Sequence, residues 1–442
     1  MKARLRVPLA AGIAVGLLIV GALGPFRLGS SLGDTTSPPQ TEAYLGPTAS
    51  VADLDAAIGA LQTRLENEPD DAASFATLGL AYIQKARVSA DPSYYPKAEK
   101  VLSRSLELRE SENFEAMLGM GALDLARHDF SGALDWGKRA KRINPGNAQI
   151  RGVIGDAYLE LGLYDEADRA FQRMVNLRPD LSSYARASYA RELRGDVAGA
   201  IRFMKLASGA AGTSSDAAWT SYQLGELYFN SGRYAAASLA FRRGRFLDPS
   251  SVLVRFGIAK VVAARGDLQR ATAILERVTQ RQPLAEYVIL LGDLYAASGR
   301  DDKAAGQYEL VAAIEKLHRS NGVNVDLEQA LFDADHGNAE RALDVARTEH
   351  QRRPSVHVAD ALAWAHFASG EYSDARRYSR EALRLGTRSA LFHFHAGMIA
   401  VELGHPGAAR RHLTTALDIN PSFSFLHAPT AAATLDDLES SR

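Results

Sequence analysis

The chain has 442 residues, 51 Lys or Arg against 52 Asp or Glu, and no cysteine. The near-zero net charge offers neither a global basic field for nucleic acid nor an acidic tail for basic partners. The missing cysteine excludes a thiolate metal site, a disulfide frame, a cysteine nucleophile and a lipoprotein anchor.

At the amino end, Lys2, Arg4 and Arg6 precede an uncharged apolar run over residues 7–26 that stops at Arg27. About 20 residues at 1.5 Å rise span about 30 Å, the thickness of a bilayer core. Residues 1–27 therefore read as a cytoplasmic stub and transmembrane signal-anchor. A cleaved signal peptide is the alternative, because Ala22 and Gly24 have the small-x-small look of a cleavage site, although Pro25 disfavours cutting there. Basic residues ahead of the run predict an inside amino end and an extracytoplasmic remainder. Residues 28–50, rich in Gly, Ser, Thr and Pro, suit a flexible tether. Residues 51–71 read as a capping helix.

From residue 72 a pattern of small and large residues recurs about every 34 positions, the mark of stacked helix pairs. Gly155, Tyr158, Ala167, Phe171 and Pro179 return as Gly225, Tyr228, Ala237, Phe241 and Pro249. A third copy has Gly292, Tyr295, Ala304 and Tyr308, and the last has Gly397, Gly404, Ala409, Leu413, Ala416 and Pro421. The Gly on a first helix and the Ala on a second let two helices approach closely, and the aromatics wedge between them. Glycines such as Gly162, Gly195 and Gly232 end first helices, and prolines close the second. Repeats start at Ala72, Phe114, Ala148, Leu181, Ala218, Val252, Ala285, Val323, Val356 and Ala390. Residues 207–217 and the stretch near Ser320 interrupt the period as candidate hinges. Arg87 to Pro96 lengthens the turn of the first repeat, and the polar end after Asp436 is expected to fray.

This spacing resembles the tetratricopeptide repeat family; the Sel1-like repeats, with a longer period and other Gly placement, are the alternative. The resemblance implies an all-α fold, a right-handed superhelical solenoid of about ten antiparallel helix pairs over residues 72–422, with residues 423–442 as cap and tail. It also implies that first helices line a concave groove. The inferred groove positions hold Asp156, Glu160, Glu192, Glu226, Glu286 and Asp293, with Asp335, Asp360 and Glu402, against a single Lys260 and His357. Tyr189, Trp219, Tyr222, Phe229, Phe256, Trp364 and Phe367 interleave as apolar anchors. Second helices instead carry arginines, among them Arg202, Arg242, Arg243, Arg270 and Arg277, so the convex side is expected to be basic. The partner this groove suits is a protein or peptide segment with apolar anchors and Lys or Arg.

Ten of eleven histidines follow residue 317. His393 and His395, two apart on a helix, point about 200° from each other, and no pair has the i, i+4 spacing that puts two imidazoles on one face. No metal or cofactor is expected. No GxSxG elbow, phosphate-binding loop, HExxH pair or dinucleotide fingerprint appears, so the chain does not read as an enzyme. It reads as a membrane-tethered, extracytoplasmic interaction scaffold. The alternatives are a cleaved, exported chaperone-like module and, from the histidines alone, an accessory subunit of a metal transport system.

Overall fold

A computed structural model describes residues 51–440. The expected membrane segment and tether lie outside them, and among the described residues no helix is long and apolar enough to cross a membrane. These residues form 22 α-helices and one short 3-10 turn, with no strand.

Helix α1 (Val51–Asn67) buries Leu54, Ala57, Ile58, Leu61 and Leu65. Ten helix pairs follow: α2 (Ala72–Ser89) with α3 (Tyr94–Leu108), α4 (Phe114–Ala126) with α5 (Phe130–Ile143), α6 (Ala148–Glu160) with α7 (Tyr164–Leu177), α8 (Leu181–Leu193) with α9 (Val197–Gly209), and α10 (Ser214–Asn230) with α11 (Tyr234–Leu247). The second five are α12 (Val252–Ala264) with α13 (Leu268–Arg281), α14 (Ala285–Ala297) with α15 (Asp301–Ser320), α16 (Asp326–Asp335) with α17 (Ala339–Arg352), α18 (Val356–Ala368) with α19 (Tyr372–Ala382), and α20 (Ala390–Glu402) with α21 (Pro406–Ile419). Helix α22 (His427–Ser440) closes the described chain.

Capping chemistry sets many of these starts. Asp71, Asn113, Asn147 and Asp196 each accept from a backbone N–H of the first turn, and Asp180 with Ser183 makes a reciprocal capping box. Two irregularities resolve differently from the sequence expectation. The polar stretch before repeat five becomes an extra helical turn, because Thr213 caps α10 through the Asp216 N–H. In the first repeat the added residues extend α2 to Ser89, leaving only residues 90–93 as the turn. The polar carboxy end is also helical, with Ala428 and Ala431 buried and Arg410 donating to Leu438 O at 3.2 Å.

First helices are enclosed on nearly every side, whereas second helices bury one stripe. Ten residues of α18 are buried, but only Ala375, Ser379 and Ala382 of α19; a helix apolar all round must sit between other helices. The glycines of the pattern make room for this. The Phe241 ring lies between Gly225 and Gly257, where a Cβ on either glycine would overlap it, and Phe171 meets Gly155 in the same way.

The array coils until its later repeats meet its earlier ones. Asn324 N–H donates to Arg127 O at 3.0 Å, and His128 Nδ1 lies 2.6 Å from Asn324 O. Arg353 Nη1 reaches Glu160 Oε2 at 2.7 Å, and Val356 N–H donates to the Tyr164 hydroxyl at 2.7 Å. Further along, Thr387 donates to Leu193 O, Asn420 Nδ2 to Phe229 O at 3.0 Å, and Ser422 N–H to the Tyr234 hydroxyl at 3.0 Å. The partners are 188 to 197 residues apart, between about five and a half and six periods of 34 residues. An apolar seam backs these bonds, with Leu159, Tyr164, Tyr189 and Leu193 packed against Val356, Ala359 and Phe392.

Candidate protein-binding inner face

Coiling this tight changes the character of the inferred groove. Asp156, Glu160, Tyr189, Tyr222, Phe229, Phe256, Asp293 and Trp364 are all buried. Glu192, Trp219, Glu226, Glu286 and Phe367 are partly buried, and none of the thirteen is fully exposed. The expectation of an open groove lined by these residues is therefore corrected: the second coil and neighbouring repeats cover most of them.

Several of the inner acids are brackets, between successive repeats or between the two helices of one pair. Arg186 on α8 grips Asp156 on α6 through Nε at 2.9 Å and Nη2 at 2.8 Å, thirty residues apart. Trp364 Nε1 donates to Asp335 at 2.6 Å, His395 Nδ1 lies 2.9 Å from Asp360, and Tyr308 donates to Asp293 at 3.0 Å. Burial raises the Asp156 carboxyl to about 6 although Arg186 pulls the other way. Glu160 is likewise lifted to about 7 by burial against the pull of Arg353. Sequence reading missed Arg186 and Arg353, which resemble the solvated arginines of the convex side; both are 2 % exposed. Asp156, Glu160, Asp293 and Trp364 thus hold the solenoid together, and a partner would have to displace those contacts to reach them.

The inner wall of repeats five to seven is the exception. Phe229, Asn230, Phe256, Lys260, Glu286 and Leu290 line a cavity of about 50 Å³ whose remaining wall is residues 422–425 of the chain itself. That volume admits a few waters and no peptide. Lys260 Nζ bonds Glu226 Oε2 at 2.6 Å and stands over the Phe229 ring at 4.6 Å. The other Glu226 oxygen and the hydroxyls of Tyr222 and Tyr287 are buried without a protein partner, so water or a ligand must satisfy them. Burial raises Glu192 to about 7, against a hydrogen bond from Asn230, and Glu226 pushes it the same way. Glu286 is pushed well above the usual carboxylate range by burial, against the pull of Lys260. Three acidic side chains share one ammonium, so an added cation would draw Glu192 and Glu286 back toward their ionised forms, and Phe229 and Phe256 supply the apolar floor.

A turn-rich segment of the chain itself already occupies this wall. Asn420 and Ser422 hydrogen-bond Phe229 O and the Tyr234 hydroxyl. Phe425 packs against the apolar cluster that contains Phe256 and Tyr287, and Phe423 meets Phe394 with centroids 5.5 Å apart. The sequence places these phenylalanines as an end cap; it gives no signal that they cross repeats far from them in the chain.

The late histidines scatter into separate tasks. His395 and His427 join the Trp364 stack, while His393 and His412 bring their Nδ1 atoms to 3.1 Å, a pair no helical spacing announces. Among the described residues one group of three potential ligands lies close together, His366, Glu371 and Asp374, with atoms within 4.8 Å. Arg347 pairs Glu371 at 3.2 Å and Arg377 pairs Asp374 at 3.6 Å, which opposes a cation there.

Comparison with known proteins supports the repeat pattern. A tetratricopeptide repeat model matches residues 222–286, 263–318 and 361–422, and a second such model matches residues 148–181. "Protein CTR9 homolog" of Arabidopsis thaliana is 25% identical over 320 residues, covering 62% of this chain but only 29% of that protein. A tetratricopeptide repeat protein of Parabacteroides merdae aligns over 54% of this chain and 97% of its own with TM-score 0.41 and 18% identity. The Cut9–Hcn1 assembly aligns over 88% and 87% with TM-score 0.42 and 13% identity.

Proposed function

From the premise that this chain carries tetratricopeptide repeats, which typically mediate protein–protein contacts, we propose that it is a non-enzymatic interaction scaffold. Its binding face is the inner wall of repeats five to seven. The observation that supports this reading is the crossing of that wall by residues 422–425, whose phenylalanines line one cavity with Glu286 and Lys260, Lys260 in turn bonding Glu226. An incoming segment takes the place of Phe423 and Phe425 with its own apolar anchors and sets a Lys or Arg among the carboxylates. The ammonium or guanidinium then meets the unpartnered Glu226 oxygen, and the anchor rests on Phe256 and Phe229. The apolar run at residues 7–26 tethers the scaffold to a bilayer in this reading. Retention in the membrane after a carbonate wash is the expected result, and release would favour an exported module.

A panel of synthetic peptides, each with two aromatic anchors and either basic or acidic flanks, tests the site on the Phe423→Ala/Phe425→Ala variant. Fluorescence anisotropy should show tighter binding of the basic set, and Glu192→Gln with Glu286→Gln should abolish the preference. Equal binding of both sets, or a preference untouched by the Gln variants, would overturn the assignment.

A further inference from the structure

The outer surface carries a feature that the inner wall does not need. On α11 the buried stripe is Ala237, Phe241 and Gly244, and the opposite face exposes Leu239 at 63% and Phe246 at 85%. Seven residues apart, these two side chains stand on one side of the helix about 10 Å apart. Arg242 and Arg243 lie between them and Arg245 beside them, all exposed, and α11 contains no aspartate or glutamate. The second helix of the preceding repeat repeats the chemistry: α9 also lacks any acid and exposes Leu206 at 50% next to Arg202 and Lys205. On the following repeat, α13 exposes Arg270 and Arg277.

Solubility explains exposed arginines but not an aromatic ring almost wholly in water between them. The second helices form the outward side of the array, so this patch is convex and offers no groove to wrap a peptide. A convex stripe of two or three apolar side chains, framed by long cationic ones whose aliphatic stems can lie along an apolar phase, matches the interface of a lipid bilayer. Its charge is complementary to anionic headgroups, each Lys or Arg near such a surface strengthening binding about five-fold.

We propose that the convex face of repeats four to six, centred on α11, docks on an anionic lipid surface, with Phe246 and Leu239 entering the headgroup layer and Arg242, Arg243 and Arg245 contacting lipid phosphates. This face lies opposite the inner wall, so its failure leaves the scaffold reading untouched, and failure of the peptide test leaves this one standing.

The native chain has no cysteine, so a single introduced one reports on one place. An environment-sensitive dye is attached to the full chain through Ala235→Cys, exposed one turn before Leu239, or through Thr414→Cys, exposed on α21. Each protein is then combined with vesicles of phosphatidylcholine alone or mixed with phosphatidylglycerol. The expected result is a blue shift at position 235 with the anionic vesicles only, weakened by salt and removed by Leu239→Ser with Phe246→Ser, while the dye at 414 stays unchanged. Three results overturn the proposal. An equal shift on neutral vesicles would mean that proximity alone brings the dye to lipid. A concentration-dependent shift without vesicles would make the face a contact between copies. No shift with vesicles but one with polyglutamate would make the partner an acidic protein segment.

Discussion

Replacing Arg353 by methionine tests whether the two coils are locked together as described. The guanidinium is 2% exposed, bonds Glu160 of repeat three at 2.7 Å, pairs with Glu349 in the last turn of the helix that Arg353 caps, and lies 4.8 Å from the Phe130 ring. Methionine keeps most of the apolar stem and removes the charge, leaving Glu160 buried with no counterion and Glu349 with only the half-exposed Arg352 at 3.1 Å. Breaking a buried pair from one side costs about 3–5 kcal/mol, a large share of the roughly 5–15 kcal/mol that stabilises an ordinary domain. The loss should appear at the seam first. Hydrogen exchange at the Asn324 and Val356 amides, both of which donate across the seam, should accelerate about a hundred-fold or more, while amides inside repeat six change little. Adding Glu160→Gln should restore much of the protection, because the orphaned charge is then gone. If Arg353→Met left seam exchange within a factor of three or so of wild type, or if Glu160→Gln gave no recovery, the ion pair would not be what closes the coils.

Gly195 and Gly299 both have positive φ, but only Gly195 faces the backbone of Gly386 across the seam. Gly195→Ala should therefore lower thermal stability well beyond the roughly 1 kcal/mol that left-handed strain alone costs at Gly299→Ala. Gly225→Ala, which drives a methyl into the Phe241 ring, should cost about 1–3 kcal/mol in denaturant unfolding, and pairing it with Phe241→Leu should recover part of that. The folded carboxyl of Glu192 is raised to about 7, so its contribution is present below the unfolded value and lost as pH rises through 7. Glu192→Gln should consequently stabilise the protein at pH 8 and not at pH 4, by about 1–2 kcal/mol after allowing for its partial exposure. Burial with His412 nearby lowers His393 to about 4; its share of stability is lost as pH falls from about 6.5 toward 4, and His393→Gln should flatten that acid limb. Calorimetric titration with nickel should give no saturable heat, since only two imidazoles converge at His393 and His412; a saturable site removed by His412→Ala would revive a metal reading.

The repeat pattern was legible because close helix contact leaves few choices of residue: Gly225 and Gly257 must be small where Phe241 is large. Eight first helices begin at the very residue where the spacing starts a repeat, from Ala72 to Ala390. Repeats four and eight, which have Ser188 and Ala330 where the first-helix glycine is expected, also form helix pairs, since Ala200 and Ala342 stay fully buried and Gly195 and Gly337 keep the left-handed turns. The groove was harder to read because periodicity records neighbours one repeat away and is silent about contacts across a full coil. Asp156 with Arg186 and Asp360 with His395 are 30 and 35 residues apart, so searching for complementary groups one period apart would have found these brackets. Nothing comparable marks Glu160 with Arg353 or Phe229 with Asn420, whose pairing depends on the pitch of the whole superhelix.

The seam also limits how this chain can change length. An open array tolerates gain or loss of a helix pair, because each unit touches only the units beside it. Here Arg127 is matched to Asn324, Glu160 to Arg353 and Leu193 to Thr387, so one pair inserted between repeats five and eight would offset every later partner by a whole step. The number of units is therefore set by registry, as teeth are between two meshed racks. Duplications should be tolerated beyond the overlap and rejected within it.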